Sequence, residues 1–470
     1  MNNLPYFVIK LNPLFMRYFI TICLFIGFGF SNRTFAFSEP ADSTTGIIDK
    51  SAALILIDKG RQQVTEGKIR DALITFREAT QKDPNSWKAS YWVAYCHFRL
   101  NNFGFARQYG LDAVRKGSTE VDADIYDILG SSYHRLGNLD SAQINYQKAL
   151  DLLSAGRAKD LRITDKLAEC AFAKNALSKA SNLRTPMLGD INTGYNDYNP
   201  ILSTDGKRLY FTSRRGNTTG GRMNPDDQEY FEDVYTAVWN ETDQLWDSVS
   251  NNIERMNTDG HDALNWLSKD GLFGVMTWNT SVTDMKTLTR SGDIAEIEFT
   301  KKGKWNAPKI IANKSINTSF FEGSATLTAD GNTMYFVSDR KGDKRSTDIY
   351  VVQKVGKKWG EAKVLSDSIN TTGRETTPWI SPDGRFLFFS SDGHRGMGGL
   401  DVYVSENTGS GWTTPINLGA AVNTVNDDTH FKVYKDLNKA VMAGTNLLGQ
   451  KSSFDIYEID LSKLSLPVKW

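Results

Sequence analysis

The chain has 470 residues, with 55 basic and 55 acidic side chains and a formal net charge of zero. This length predicts two or three domains, and the charge balance argues against a nucleic-acid coat or a basic membrane-surface protein. Three cysteines exclude a disulfide framework, and five histidines leave little room for a histidine-based metal or catalytic cluster.

The N-terminal residues have the pattern of an export signal. An apolar run covers residues 18–30 and is too short for a typical membrane span. Thr34-Phe35-Ala36 offers a cleavage site with small residues. We therefore predict a signal peptide at residues 1–36, a linker at 37–50, and no membrane span after cleavage. An uncleaved N-terminal anchor is the alternative.

Residues 51–182 show a helical apolar period that repeats. Small residues recur at intervals of 34 to 38 residues, at Gly60, Ala94, Gly130 and Ala168. Small residues at such intervals allow two helices to cross closely, and the pattern resembles the tetratricopeptide repeat. The resemblance implies a helical stack whose concave groove takes peptides or partner helices. Tyr91, Tyr95 and His97 are candidate groove residues, and packing between repeats is their alternative role.

Residues 183–460 contain a different repeat, in five copies. Each copy has Asn-Thr, then an acid four residues after the Thr, then an Asp eight residues later. In four copies this Asp precedes Gly, a pair typical of a hairpin turn because Gly accepts a positive φ. The copies begin at Asn192, Asn257, Asn317, Asn370 and Asn423.

An aromatic strand follows the turn in several copies, and an Asp-apolar-Tyr strand comes next. Asp293-Ile294-Ala295 departs from this pattern in the second copy. Four short strands in each copy predict the blade of a propeller. Ser381-Pro382-Asp383-Gly384 and its counterparts resemble the repeat of TolB-type propellers. The predicted fold class is therefore an all-α tetratricopeptide-type repeat followed by an all-β propeller.

The number of blades follows from the strand order. The third strand occurs five times, but a fourth strand follows it only four times. Residues 183–189, which precede the first copy, resemble the fourth strand of the last complete blade. We therefore predict that this segment closes a five-bladed ring at 183–460, and that residues 461–470 form a tail. A closed ring also covers an edge that would otherwise favour aggregation.

The acids of the repeat are the candidate binding residues of the propeller. They are predicted to begin each innermost strand and to surround one mouth of the channel, where five carboxylates repel one another unless compensated. One interpretation is a bound cation such as calcium, and a second is a basic residue of a partner. The third is structural, with each acid accepting N–H bonds from the next blade, and repetition in every blade favours it. These acids are Asp197, Asp262, Glu322, Glu375 and Asp428.

Motifs of common enzymes are absent from the sequence: there is no G-x-S-x-G, H-E-x-x-H or P-loop. Five-bladed propellers do include glycoside hydrolases, which use unlike acids in the channel. The near-equivalent acids of this chain predict a non-enzymatic protein. An exported propeller that acts on or binds glycans through its channel carboxylates is the alternative.

A tetratricopeptide stack joined to a TolB-like propeller resembles the front half of periplasmic adaptor proteins of Bacteroidota. The resemblance implies a non-enzymatic periplasmic scaffold in a type IX secretion, gliding or outer-membrane complex. Its partners would be subunits of such a complex rather than nucleic acid, and it would need no cofactor. Family members often continue into a peptidoglycan-binding domain, which we do not expect within these 470 residues.

Overall fold

The computed structural model describes residues 46–224, 227–279, 292–341, 346–448 and 451–469. The predicted signal peptide at 1–36, and the predicted linker up to residue 45, lie outside the described residues. Within the ranges given, we find no helix with the length and apolar character needed to cross a membrane.

The N-terminal part of the described chain consists of paired helices. Small residues make the pairs possible: a Cβ added to Gly60 would lie 2.5 Å from the Phe76 ring, and one added to Gly130 would lie 2.5 Å from the Tyr146 ring. The eight α-helices are α1 Ile47–Thr65, α2 Ile69–Lys82, α3 Trp87–Arg99, α4 Phe103–Gly117, α5 Asp124–Arg135, α6 Leu139–Leu152, α7 Ala155–Asp160 and α8 Ile163–Lys179.

Helix α1 begins at Ile47, inside the segment that we predicted as linker. No Gly or Pro interrupts residues 47–50, and Asp49 in the first turn is favourable at the positive end of the helix dipole. Asp49 also pairs with Lys82 of α2 at 3.6 Å. The start of α1 is therefore part of the first helical pair.

The rest of the chain is built from short strands. They are β1 Thr185–Pro186, β2 Asp197–Leu202, β3 Arg208–Ser213, β4 Asp233–Asn240, β5 Leu245–Ser250, β6 His261–Leu267, β7 Phe273–Asn279, β8 Asp293–Glu298, β9 Lys309–Ile310, β10 Glu322–Leu327, β11 Thr333–Ser338, β12 Asp348–Val355, β13 Lys358–Trp359, β14 Lys363–Val364, β15 Glu375–Ile380, β16 Phe386–Ser391, β17 Asp401–Glu406, β18 Ile416–Asn417, β19 Asp428–Tyr434, β20 Lys439–Leu448 and β21 Lys451–Asp460.

These strands form five antiparallel sheets, one for each copy of the repeat. Their orders are β2-β3-β4-β5, β6-β7-β8-β9, β10-β11-β12 with β13 and β14 both on β12, β15-β16-β17-β18, and β19-β20-β21-β1. The innermost strands β2, β6, β10, β15 and β19 each contact the next one, and β19 contacts β2. The ring is therefore closed at five blades, and the predicted fold class is confirmed.

Strand β1 comes from the segment before the first blade and forms the outer edge of the last. Thr185 pairs with Glu458, and Pro186 pairs with Tyr457 of β21. After β21, Leu461, Leu464, Leu466 and Val468 pack against the apolar cluster shared by the fourth and fifth blades. The residues after 460 therefore contribute to the core of the propeller.

The Asp-Gly turns join the first and second strands of the first four blades. Their glycines have φ between 66° and 74°, at Gly206, Gly271, Gly331 and Gly384. In the fifth blade Leu437 follows the Asp, and Asn438 takes the positive φ of 52° one residue later. The acids begin the innermost strands and these turns follow them, so the two sets lie at opposite ends of the ring.

Candidate functional site

The helical region is fixed to the propeller at the end where the acids lie. His134 at the end of α5 donates a 2.7 Å hydrogen bond from Nε2 to the carbonyl of Met397. Arg135 pairs with Asp427 at 3.1 Å. Met397 is fully buried in a cluster of α-helical side chains. It belongs to a glycine-rich loop of the fourth blade, and the sequence did not indicate that this loop contacts the helices.

Two features of the loop make it suitable for this contact. Asp401 accepts the N–H of Met397 at 2.7 Å and fixes the loop from within the blade. A Cβ at Gly398 would lie 2.7 Å from the carbonyl oxygen of Val425, so a side chain has no room there.

Two hydrogen bonds outside this loop also join the helices to the propeller. Arg70 donates to the Asp227 carbonyl at 2.7 Å, and Ser452 donates to the Asn101 carbonyl at 3.1 Å. Contacts spread over several blades restrict motion between the two parts.

The five predicted acids occupy the same place in every blade. All of them are buried with no exposed surface, at Asp197, Asp262, Glu322, Glu375 and Asp428. Each accepts two hydrogen bonds from the Thr four residues earlier, one from its N–H and one from its hydroxyl, at 2.5–2.9 Å. The donors thus belong to the loop that enters the same blade, and our expectation of donors from the next blade was wrong.

The Asn of each repeat makes the connection between blades. Its side-chain amide bonds both the N–H and the carbonyl of one residue in the third strand of the preceding blade, at 2.7–3.1 Å. Asn192 does so with Ile456, and this bond joins the first blade to the last. The Asn-Thr-acid motif is therefore a latch that holds one blade against the next.

In three blades an arginine pairs with the acid and stacks on the Tyr of the Asp-apolar-Tyr strand. Arg215 lies 2.8 Å from Asp197, and its guanidinium lies 4.8 Å from the Tyr235 ring centre. Arg340 lies 3.2 Å from Glu322 and 4.5 Å from the Tyr350 ring centre. The third arginine comes from a different part of the chain.

In the fifth blade, Arg184 of the closing segment pairs with Asp428 and lies 4.5 Å from the Tyr457 ring centre. Gly444 stands opposite Asp428 across the strands, where the first, third and fourth blades have Ser. A Cβ at Gly444 would collide with the Arg184 guanidinium, so the absence of a side chain leaves room for it. The segment that closes the ring thus supplies both a strand and a counter-charge.

Among the described residues, no arginine pairs with the acid in the second and fourth blades. In the fourth, His394 lies in its place: Nε2 is 2.8 Å from the Ile369 carbonyl, and the ring centre is 5.2 Å from that of Tyr403. In the second blade, Ala295 replaces the Tyr. Asp262 has a buried Oδ1 without a hydrogen-bond partner among the described residues.

The pKa values of these acids follow their surroundings. Burial raises the pKa of Asp262 to about 8, against the bonds from Thr258. Burial also raises the pKa of Asp428, but Arg184 opposes it and the pKa is about 6. Burial raises the pKa of Glu375 as well, against the bonds from Ser391 and Thr371.

The acids therefore do not form an open ring at the mouth of the channel. Each carboxylate is enclosed by its own blade and bonded there. Across the parts of the chain that the structure describes, we find no group of three or more His, Cys, Asp or Glu side chains that could hold a metal ion. The geometry supports the structural interpretation over a shared cation site.

The three candidate groove residues of the helical region have different surroundings. His97 is buried, and its ring stacks between Phe105 and Tyr109 of α4 at 5.0 and 5.6 Å. Burial lowers the pKa of His97 to about 4, so it is a neutral packing residue at neutral pH. The assignment of His97 to a binding groove was wrong, because its ring faces the second helix of its own repeat.

Tyr91 and Tyr95 are half-buried on α3, on either side of Trp92. Both contact the Trp92 ring edge-on, at 5.2 and 5.3 Å. Two exposed arginines lie beside them: Arg61 is 5.8 Å from the Trp92 ring centre, and Arg99 is 5.7 Å from that of Tyr95. These five residues form a surface with aromatic and cationic character, which we call the aromatic groove.

A cavity of about 730 Å³ opens at the other end of the ring, among the Asp-Gly turns. Ile201, Trp266, Trp379 and Lys432 line it, and each stands four residues after the acid of its blade. Beyond Lys432 the channel narrows to a space of about 10 Å³ lined by polar side chains. Asn265 and Lys432 line both the cavity and this narrow space. The sequence pattern alone does not indicate Lys432 as a site residue.

Acids at the mouth of the cavity belong to the turns. Asp205, Asp270 and Asp383 each accept a hydroxyl bond from the Ser two residues earlier, at 2.5–2.6 Å. This bond lowers the pKa of Asp205 and Asp270. For Asp383, partial burial works against the Ser381 bond, and the pKa is still lowered. These carboxylates are therefore ionised at neutral pH.

Comparison with known proteins bears on the helical region most directly. Residues 57–121 match the model of the tetratricopeptide repeat family. No curated protein matches the chain. Among solved structures, the first tetratricopeptide domain of human RPAP3 is 25% identical to this chain, with a TM-score of 0.23. The match covers 26% of this chain and 97% of that domain.

Two further solved structures are similar to separate parts of the chain. The Yersinia enterocolitica type III secretion chaperone SycD, in complex with a peptide of the translocator YopD, is 15% identical over 27% of this chain and 99% of its own, with a TM-score of 0.25. The α-L-arabinofuranosidase PaAbf62A of Podospora anserina is 11% identical over 58% of this chain and 94% of its own, with a TM-score of 0.37.

Proposed function

We propose that this protein is a non-enzymatic scaffold of the bacterial periplasm that binds a partner protein in its aromatic groove. The observation that carries the proposal is the aromatic and cationic surface of the near repeats. Arg61 and Arg99 are exposed there beside the half-buried Tyr91 and Tyr95, whereas the bonds of His134 and Arg135 fix the end of α5 to the propeller. Repeats of this family present such surfaces to peptides and helices.

The chemistry of the groove indicates the kind of partner segment. Trp92, Tyr91 and Tyr95 offer apolar area at low entropic cost, and Arg61 and Arg99 are positively charged and exposed. An extended or helical segment with acidic and apolar residues is complementary to this surface. The rigid contact with the propeller would hold such a partner at a fixed place beside the ring.

The carboxylates support a non-enzymatic role. A hydrolase of glycosides needs one acid that is protonated and another that is ionised near the substrate. The acids with raised pKa, such as Asp262, are sealed within the blades, whereas Asp205, Asp270 and Asp383 at the cavity mouth have lowered pKa values. The two kinds of acid are thus at opposite ends of the ring.

The cellular setting is part of the proposal. The apolar leader supports export, and the tetratricopeptide stack with a TolB-like propeller supports an accessory role in a type IX secretion, gliding or outer-membrane complex of Bacteroidota. Fractionation of cells, with protease treatment before and after outer-membrane rupture, tests the location. A protein that stays in the cytoplasmic fraction would contradict it.

The partner proposal is tested by affinity capture after cross-linking in intact cells, followed by mass spectrometry. We expect the tagged wild type to recover outer-membrane or secretion-complex subunits. The double variant Arg61→Glu/Arg99→Glu should lose them, because it reverses the charge of the aromatic groove. Lys159→Glu, at an exposed lysine of α7, is the matched control and should retain them. Recovery of no envelope subunit, or equal recovery by both variants, would contradict the proposal.

A further inference from the structure

The cavity at the turn end of the propeller has no part in the proposed scaffold function. It lies at the end of the ring away from the helical contact, and its volume of about 730 Å³ is within the range of sites for small molecules. Corresponding positions of several blades line its wall. Lys432 differs from its counterparts, since the equivalent positions of the first, second and fourth blades are Ile201, Trp266 and Trp379.

Lys432 is a buried lysine, with 5% of its surface exposed. Its ammonium donates to Oδ1 of Asn199 at 2.7 Å and to the carbonyl of Pro200 at 3.1 Å. Both acceptors are neutral. Within the described ranges of the chain, no carboxylate lies within ion-pairing distance of its Nζ, and the side chain lines the floor of the cavity.

A buried ammonium without a counter-charge is unfavourable, because desolvation is not offset by attraction. Burial alone lowers the pKa of Lys432 to about 7. An anion that enters the cavity would supply the missing charge next to two hydrogen bonds that already orient the ammonium. The ammonium of Lys432 is therefore oriented to pair with an anionic group of a ligand.

The walls and the mouth restrict what the rest of that ligand can be. Trp266 and Trp379 present indole surfaces above the floor, which suit an apolar or aromatic body. Acidic side chains at the mouth outnumber the basic ones, and this excess of negative charge disfavours the entry of a multiply charged anion. The acids are Asp205, Asp270, Asp383 and Asp436, and the lysines are Lys269 and Lys435. One negative charge on an apolar body fits both conditions.

We propose that this cavity binds an organic monocarboxylate, whose carboxylate pairs with Lys432 and whose apolar body lies against Trp266 and Trp379. This site is independent of the aromatic groove, so either proposal can fail alone. It requires no covalent step.

The first experiment uses the full wild-type chain and matched pairs of probes. Phenylacetate, benzoate and hexanoate are titrated by calorimetry and by tryptophan fluorescence, beside phenylacetamide, benzamide and hexanamide. Each amide has the shape of its acid without the charge. We expect at least one carboxylate to saturate the protein and to bind on the order of tenfold more tightly than its amide. Inorganic phosphate should not displace it.

The second experiment replaces the lysine. Lys432→Met keeps the length of the side chain and removes the charge, and it should reduce carboxylate affinity by about tenfold or more while leaving the amide unchanged. Lys432→Gln should behave in the same way. Lys269→Met removes an exposed charge at the mouth and should change the affinity by less than about twofold.

Each outcome decides the proposal. A carboxylate preference that Lys432→Met abolishes and Lys269→Met retains supports it. Failure of all three carboxylates to saturate the wild type at millimolar concentration overturns it, as does equal binding of acid and amide. Both results come from the wild type and hold even where a Lys432 variant does not fold. A folded Lys432→Met that retains the preference also overturns it.

Discussion

The first and second blades place a buried aspartate at the same position but surround it differently. In the first blade, Asp197 accepts a 2.5 Å hydroxyl bond from Ser213 and pairs with Arg215. In the second, Trp278 stands opposite Asp262. Thr280, which has the sequence position of Arg215, carries no charge. Among the described residues, the bonds from the Thr four residues earlier are the ones common to both acids.

The comparison shows which role of the acid is the same in both blades. The group that compensates its negative charge differs from blade to blade. The carboxylate is kept in the second blade, where no cation among the described residues pairs with it, so its shared role is to hold the loop that enters the blade. The arginine accompanies a Tyr to stack on: Arg215 has Tyr235, whereas the second blade has Ala295. Residues that recur in every blade of this ring are therefore structural. We expect a ligand site where one blade departs from the repeat.

The largest effect is expected from removing a counter-charge. Arg184→Met leaves Asp428 buried without its cation and also loses the stacking on Tyr457. We expect the free energy of unfolding at neutral pH to fall by about 3–5 kcal/mol, as measured by urea denaturation. Arg385→Met, which breaks an exposed pair with Glu406, should cost less than about 1 kcal/mol. Equal losses in the two variants would show that the fifth blade does not depend on this pair.

Replacement of Asp197 and of Asp262 by Asn should change the free energy of unfolding in opposite directions. Asp197→Asn leaves Arg215 without its carboxylate, although the guanidinium keeps its 2.8 Å bond to the Ile191 carbonyl and its contact with Tyr235. We expect a loss of about 2–3 kcal/mol in unfolding free energy at neutral pH. A neutral or stabilising effect would indicate that the first blade does not need the ion pair.

Asp262→Asn should instead stabilise the protein at alkaline pH. The raised pKa of Asp262 means that the folded state keeps a proton that the unfolded chain releases above about pH 4. Wild-type stability should therefore fall as pH rises from about 4 to about 8. The variant should lack this part of the slope. The raised pKa corresponds to about 5–6 kcal/mol, at about 1.4 kcal/mol for each pKa unit. Burial of the Asn amide offsets part of this, so we expect a net gain of about 1–3 kcal/mol above pH 8. The free energy of unfolding is measured against pH for wild type and variant. Parallel curves would refute the raised pKa of Asp262.

Much of the architecture could be predicted from the sequence because the signals are periodic. The spacing of Gly60, Ala94 and Gly130 reflects helix crossings, and the Asp-Gly pairs reflect the φ that their turns require. The departure at Ala295 was also visible, although its consequence for Asp262 was not. In the first blade, Ser213 and Arg215 reach Asp197 from the end of β3 and the residues after it. In the second blade Trp278 stands opposite Asp262 instead.

Single-copy features could not be predicted in this way. Met397 lies in a glycine-rich loop that reads as an ordinary hairpin connection, and its partner His134 is 263 positions away in the chain. His97 seemed available for binding because the helical period does not say which face meets the second helix of the repeat. Lys432 stands where the other blades have Ile201, Trp266, Thr326 and Trp379. Only the closed ring brings it to the cavity floor.

The smallest effect is expected from divalent cations. Both blades bond their acid internally, to Arg215 and Thr193 in the first and to Thr258 in the second. Oδ1 of Asp262 has no hydrogen-bond partner among the described residues, but it does not belong to a described group of three or more ligands. Neither calcium nor a chelator should therefore shift the melting temperature of the wild type. A saturable rise with calcium, lost in Asp262→Asn but not in Arg385→Met, would place an ion in the second blade. The unpaired Oδ1 of Asp262 would then be a ligand rather than the protonated oxygen of a buried acid.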